Sequence, residues 1–307
     1  MKKSLQKLKN PSPRKTLKLT GKQYQKYNTI LILIILVLVA AVTVTIFLIM
    51  PGLRNSKTIW LGAGVRMRFV LIHPGSFTMG SDPNLGDSDE TPPHQVTLTH
   101  PFYLGQTEVT QAQWRQIMGS NPSTFKDPKL PVDSVSWNEC QRFLKKLNEK
   151  TGRKFALPTE AQWEYACRAG TTTRWYFGDD EALAGDYAWC VVNSDGKTHP
   201  VGKKKPNPWG LYDMSGNLWE WCADWYADHY ASTELGAGVS AGSGAGVSTG
   251  TGAGPAIDPK GPATGTSRVL RGGSWGDSPG GLRTAYRNCI GPDGGHNGTG
   301  LRIVMKP

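Results

Sequence analysis

The spacing of apolar residues changes character several times along the chain, and each change predicts a different kind of element. Thr29–Met50, TILILIILVLVAAVTVTIFLIM, is an unbroken run without a charge. A bilayer core takes about 20 apolar residues in helical form, so a transmembrane helix is expected over 29–50. The competing reading is a cleaved signal peptide. The run exceeds the roughly 7–15 apolar residues of such peptides and lacks a clear small-x-small cleavage site. Residues 51–64 read as a linker, and residues 65–307 as one large domain. In MRFVLIHPGSFTMGS two short apolar runs flank Pro74-Gly75, a hairpin-like signal. HQVTLTHPFYLGQTEVT alternates as a strand would at Val96, Leu98 and Phe102.

Three helices are predicted from their caps. Thr110 precedes QAQWRQIMG, with Trp114, Ile117 and Met118 on one face and Gly119 as a stop. Ser136 and Glu139 form a capping box before CQRFLKKLNEK, whose buried stripe should be Cys140, Phe143, Leu144 and Leu147. Thr159 and Gln162 open WEYACRAG, closed by Gly170. Helical periodicity then fades into long Gly-, Pro-, Asn- and Trp-rich segments, which predicts a loop-rich α+β domain. Residues 235–267 are mostly Gly, Ala, Ser and Thr. Such a composition cannot offset its ordering entropy by burial and reads as a flexible insertion.

Charge sharpens the topology. The net charge is +11, yet residues 1–28 carry nine Lys or Arg and no acid, which leaves +2 for the remainder. The basic character belongs to a cytoplasmic tail. It gives no reason to expect nucleic-acid binding by the domain, which should lie outside the cytoplasm on a single-pass membrane protein. The five cysteines include no CxxC pair, and their odd number leaves at least one thiol unpaired within the chain. One disulfide is compatible with the count, but its connectivity is not readable. The six histidines show no HxH, HxxxH or HExxH spacing. The Gly-rich look-alikes of GxGxxG lack a βαβ setting.

Six motifs in order carry a resemblance: IHPGSFTMGS, EVTQAQW, PVDSVSWNECQRF, LPTEAQWEYACRAG, PNPWGLYDMSGNLWEWCADWY and RVLRGGSW…AYRN…GLRI. Together they resemble the formylglycine-generating enzyme, or sulfatase-modifying factor, family over about residues 65–304. The resemblance implies a C-type-lectin-like fold. It also implies, for active members, copper(I) held by two thiolates after the GGS motif and oxidation of a sulfatase cysteine. Here Asp277 and Leu282 stand at the two thiolate positions and Gly298 at that of a substrate-binding asparagine, while Ser274 and Trp219 match. A soft ion prefers soft ligands, so no copper is expected and catalysis is not favoured. The alternative is a formylglycine-generating enzyme or a divergent oxidase on this scaffold; a third reading is a structural envelope component. The resemblance further implies calcium, through Asp213 and Glu220 side chains with the Gly216 and Leu218 carbonyls, and at a second loop around Asn193 and Asp195. Hard oxygen donors suit that ion. The competing reading has Asp213 and Glu220 capping turns and pairing with arginines. Trp209, Trp219, Trp221 and Trp225 read as core.

The segment 271–303 alternates a frame with fillings. The frame is Arg271, Gly272, Gly273, Ser274, Trp275, Pro279, Leu282, Arg283, Ala285, Tyr286, Arg287, Pro292, Asp293, Gly300, Leu301 and Arg302. The fillings are Gly276, Asp277 and Ser278; Gly280 and Gly281; Asn288, Cys289, Ile290 and Gly291; and Gly294, Gly295, His296, Asn297 and Gly298. Each filling residue is reachable from an asparagine codon by changing adenines alone: AAC becomes GGC, GAC, AGC, CAC, ATC or TGC. This resembles the variable proteins of diversity-generating retroelements, which diversify such positions at the end of a C-type-lectin-like domain. The implied ligand face is the fillings with Trp275, and the implied partner is a protein or other surface ligand.

Overall fold

The computed structural model describes residues 56–230 and 255–307, together with residue 25 and residues 28–38 of the N-terminal part. The chain divides into two units, Met1–Arg54 and Asn55–Pro307. In the first, residues 28–38 are helical, with Ile30–Leu38 exposed. No helix among the described residues is long and apolar enough to cross a membrane. Residues 39–50, the remainder of the expected span, lie outside them.

The second unit is built on three small sheets. Strands β1 (Ser56–Gly62), β2 (Val65–Ile72), β5 (Phe102–Gly105), β12 (Val304–Met305) and β6 (Phe155–Ala156) form an antiparallel sheet in that spatial order. Strands β10 (Arg287–Ile290), β9 (Arg268–Arg271), β7 (Trp219–Trp225) and β11 (Thr299–Gly300) form a second, with β11 parallel to β7. Strands β3 (Gly75–Met79), β4 (His94–Leu98) and β8 (Ala256–Ile257) form the third, with β8 parallel to β4.

Three expectations change here. The residues flanking Pro74-Gly75 are not a hairpin, because β2 and β3 pair in different sheets. Proline donates no backbone hydrogen bond, and the chain uses that break to change sheets rather than to reverse. Ser56–Gly62, placed in the linker by sequence, is the edge strand β1; its short alternation buries Ile59 and Leu61. The Gly/Ala-rich segment re-enters the fold before its expected end at 267. Ala256 pairs with Val96, and Gly265 packs on Trp225. Residues 235–254 lie outside the described residues.

The helices keep their caps. Helix α1 (Gln111–Met118), α2 (Trp137–Thr151) and α3 (Glu160–Arg168) start at Thr110, Ser136 and Thr159, each with a reciprocal capping box. A short α4 (Ala184–Tyr187) follows. On α2 the four residues Cys140, Phe143, Leu144 and Leu147 are buried, as their spacing predicts. Helix α3 ends on Ala169, itself in the left-handed region, one residue before the expected Gly170 stop. One core packs α1 and α2 against the five-stranded sheet and β7; the other lies around α3, β3 and β4. Trp219 and Trp221 are buried, Trp209 and Trp225 only half-buried. All five thiols are free, four of them buried.

Candidate functional site: the C-terminal face

Segment 271–303 runs from β9 through a loop to β10, then through a second loop to β11. Its frame is held by four arginines that reach back into the body. Arg271 donates to Glu164 and to the carbonyls of Thr284, Ala285 and Tyr286. Arg283 donates to Glu90 at 2.8 Å. Arg287 makes a two-pronged contact with Glu160 at 2.7 and 2.9 Å. Arg302 donates to Glu220 at 2.7 Å and to the Gly105 carbonyl at 2.9 Å. Burial alone would raise the Glu164 pKa, but Arg168 and Arg271 outweigh it and hold it below the usual value. Sequence reading did not single out Glu90, Glu160 or Glu164, since a lone acid on a helix or loop carries no spacing signal.

After β9 the chain turns through Gly272 and Gly273, both left-handed. A Cβ on Gly273 would lie 2.2 Å from Leu282 Cδ2 and 2.8 Å from the Gly281 carbonyl, so only glycine fits there. Asp277 then closes a tight turn. Its Oδ2 accepts from the Ser274 backbone N–H at 2.8 Å and from Ser274 Oγ at 2.6 Å. Leu282 is fully buried in a cluster with Trp175, Ala188 and Cys190. A carboxylate engaged in building a turn and a buried apolar side chain do not fit copper(I), which takes soft ligands.

The fillings join into one surface. Gly281 approaches the Asp277 side chain, and the Trp275 indole donates to the Asn297 carbonyl at 2.9 Å. A Cβ on Gly298 would meet both His296 and Ser274, and Gly294 adjoins Gly291 and Ile290. Gly298 is buried; Gly276, Ser278, Asn288, Gly295 and His296 are exposed, and the other fillings half-buried. Frame positions are buried except Trp275, Tyr286 and the Pro292-Asp293 turn. Bonds from the fillings to the body are mostly made by backbone. Val191 N–H donates to the Asp277 carbonyl, Trp219 N–H to Gly298, and Ser134 N–H to His296. Asn288 Oδ1 accepts from Cys289 N–H, and His296 Nδ1 from Gly298 N–H, while the Cys289 thiol bonds the Ser267 side chain in the body. Ile290 rests on the core. Val191 and Val192, 56% and 67% exposed, border Asp277, and Phe125 meets Trp275 edge-on at 6.0 Å. These neighbours were not anticipated, because they come from distant loops.

The expected calcium residues differ in their partners. Asp213 is buried, with Oδ2 accepting from Gly202 N–H at 2.7 Å and Oδ1 without a partner. Burial pushes its pKa up to about 6. Glu108, unnoticed in the sequence, is also pushed well up by burial, then by Asp213 and Glu220. It accepts from Leu218 N–H and from Asn217. Glu220 is engaged by Arg302 and by the Trp163 indole at 2.7 Å. Asp213 therefore keeps one buried oxygen without a partner, whereas Glu220 is paired with Arg302, as the competing arginine-pairing reading has it. Asn193 spends its amide on the turn at Ala188 and Cys190, and Asp195 is exposed.

Residues 65–307 match the sulfatase-modifying factor enzyme 1-like domain. The chain belongs to the sulfatase-modifying factor family. Within it, a formylglycine-generating enzyme of Streptomyces coelicolor is 34% identical over 64% of this chain and 59% of its own length. The chain thus spans well under two thirds of that relative. A protein of Paenibacillus barcinonensis described as chaperone protein LppX is 30% identical over 76% of this chain and 88% of its own. Among solved structures, Treponema denticola variable protein 1 superposes with a TM-score of 0.71 at 32% identity, covering 82% of this chain and 99% of its own. The sulfatase-modifying factor fold is accordingly the expected loop-rich α+β architecture.

Proposed function

We propose that this chain is a membrane-anchored, non-catalytic member of the family that binds a ligand through the joined fillings of its C-terminal face. The observation that carries this reading is the division of labour within 271–303. The frame is locked by buried arginines, while the fillings touch the body chiefly through backbone atoms, so their side chains can change without unfastening the loops. Functional loops on a rigid scaffold follow the same logic. The likeness to a variable protein supports diversification of these positions, and the run 29–50 supports display outside the cytoplasm. The partner is a protein or another surface ligand, with no role for nucleic acid.

Sequencing the gene and its flanks across a cell population tests diversification. A near-copy of the last stretch differing only at adenines, with variants confined to the fillings, is the expected result; an invariant stretch without a copy overturns it. The rival reading, a formylglycine-generating enzyme, is favoured by the identity to such enzymes and by Ser274 and Trp219. Incubating the full chain with copper and a Cys-x-Pro-x-Arg peptide separates the two, since formylglycine formation would overturn the non-catalytic claim. Where a calcium ion binds, the unpartnered Asp213 oxygen, with the Gly216 and Leu218 carbonyls, would hold it and pin the loop structurally. Asn193 and Asp195 form a weaker second candidate, having only one exposed carboxylate to offer.

A further inference from the structure

The first strand of the domain carries a surface that the C-terminal face does not use. Trp60 on β1 is 62% exposed, and it is the one tryptophan so exposed among the described residues. It stands opposite Arg66 on β2, whose guanidinium lies 5.7 Å from the indole, and Thr58 beside it stands opposite Arg68. The shallow groove along Thr58, Ile59 and Trp60 is closed by Lys150, Thr151 and Arg153 from the end of α2. Arg66, Arg68, Lys150 and Arg153 are exposed, and none is in an ion pair among the described residues. An exposed indole beside exposed cations outside any ion pair suits the boundary between acyl chains, where tryptophan concentrates at either face, and anionic headgroups, which attract basic side chains.

Two facts say what covers this surface. Residues 51–55 alone separate the apolar run from β1, so a fully extended chain places Ser56 within about 20 Å of the end of that run. Trp60 follows four residues later. Helix α2 then sets the direction. Its first turn touches the C-terminal face, with Asn138 bonded to the Pro292 carbonyl and to Asp293, and its last turn borders Trp60. A helix of 15 residues is about 22 Å long, so the two surfaces sit at opposite ends of one rigid rod.

We propose that Trp60 and the cations Arg66, Arg68, Lys150 and Arg153 dock the domain on an anionic lipid surface, so that the C-terminal loops point away from the membrane. This rests on the reading of residues 29–50 as a membrane anchor, and the test separates the two. The full chain is reconstituted into phosphatidylglycerol-containing vesicles whose lipids carry brominated acyl chains, which quench nearby indoles. Residues 29–50 contain no tryptophan, so the anchor adds no signal. The wild-type chain should lose up to one tryptophan's share of its eleven. That loss should vanish in Trp60→Ala, in Arg66→Glu/Arg68→Glu and in purely zwitterionic vesicles. All three side chains concerned are exposed, so the variants should keep the wild-type unfolding temperature, measured in parallel. A chain that stays with the vesicles through alkaline carbonate yet shows no Trp60-dependent quenching overturns the docking surface and spares the anchor. A chain washed off by carbonate overturns both. Shielding of Trp60 from iodide in envelope fragments without quenching by brominated lipid assigns the surface to a protein instead, and also overturns the proposal.

Discussion

Frame and fillings of segment 271–303 alternate in short blocks, yet they are tied to the protein by different atoms. The frame is held by side chains: Arg271, Arg283, Arg287 and Arg302 each end on a buried or nearly buried carboxylate from another part of the chain. The fillings are held chiefly by their peptide groups, with most side chains left outward or bonded to a neighbour and only Cys289 and Ile290 reaching the body. A side-chain tether fixes residue identity, because a buried charge without its partner is costly. A peptide tether fixes only the path of the chain. The difference explains how one stretch can be stiff in shape and loose in composition.

The comparison can be broken most severely at Arg271. Arg271→Met should destabilise the domain by about 3–5 kcal/mol, because Glu164 and Glu160 lose a buried counter-charge; chemical denaturation of the full chain would measure it. Leu282→Ala should cost about 2–5 kcal/mol by leaving a cavity beside Trp175, and a loss below about 1 kcal/mol would mean that the position is not part of the frame. Asp277 probes the boundary between the two classes. Asp277→Ala should cost about 1–2 kcal/mol by removing the acceptor for Ser274, whereas Asp277→Asn keeps an acceptor oxygen and should recover most of that loss in the same denaturation series. At the far end, Asn288→Ser and Ser278→Asn should each stay within about 0.5 kcal/mol of wild type. A larger change at either position would show that filling side chains also bear weight.

Much of the scaffold was legible from local patterns. The caps at Thr110, Ser136 and Thr159 and the buried stripe of α2 depend on residues three or four apart, and sequence displays such spacings directly. Burial separates most frame positions from most fillings, with Gly298 on the buried side and Trp275, Tyr286, Pro292 and Asp293 on the other. What sequence did not display is pairing across long distances. Nothing local told that Ser56–Gly62 would add an edge strand, that the chain at Pro74 would change sheets, or that Ala256 would join β4. The same limit applies at the site. Glu164 and Glu160 become partners of Arg271 and Arg287 only through the fold, and Val191 arrives beside Asp277 from another loop. The residues expected to hold calcium illustrate the converse: Asp213 and Glu220 lie close in sequence, but Arg302, from the end of the chain, pairs with the Glu220 carboxylate and donates only to the Asp213 backbone carbonyl.

Strand β12 sits inside the five-stranded sheet, between β5 and β6, and it comes after the last filling. Arg302, which neutralises Glu220, comes after it as well. A reading-frame slip or stop codon introduced anywhere among the fillings would therefore delete the piece that completes the sheet and leave a buried acid unpaired. Such a product could not close its core and would be cleared as a misfolded chain. The fold thereby makes intact translation through the whole segment a condition for closing the core.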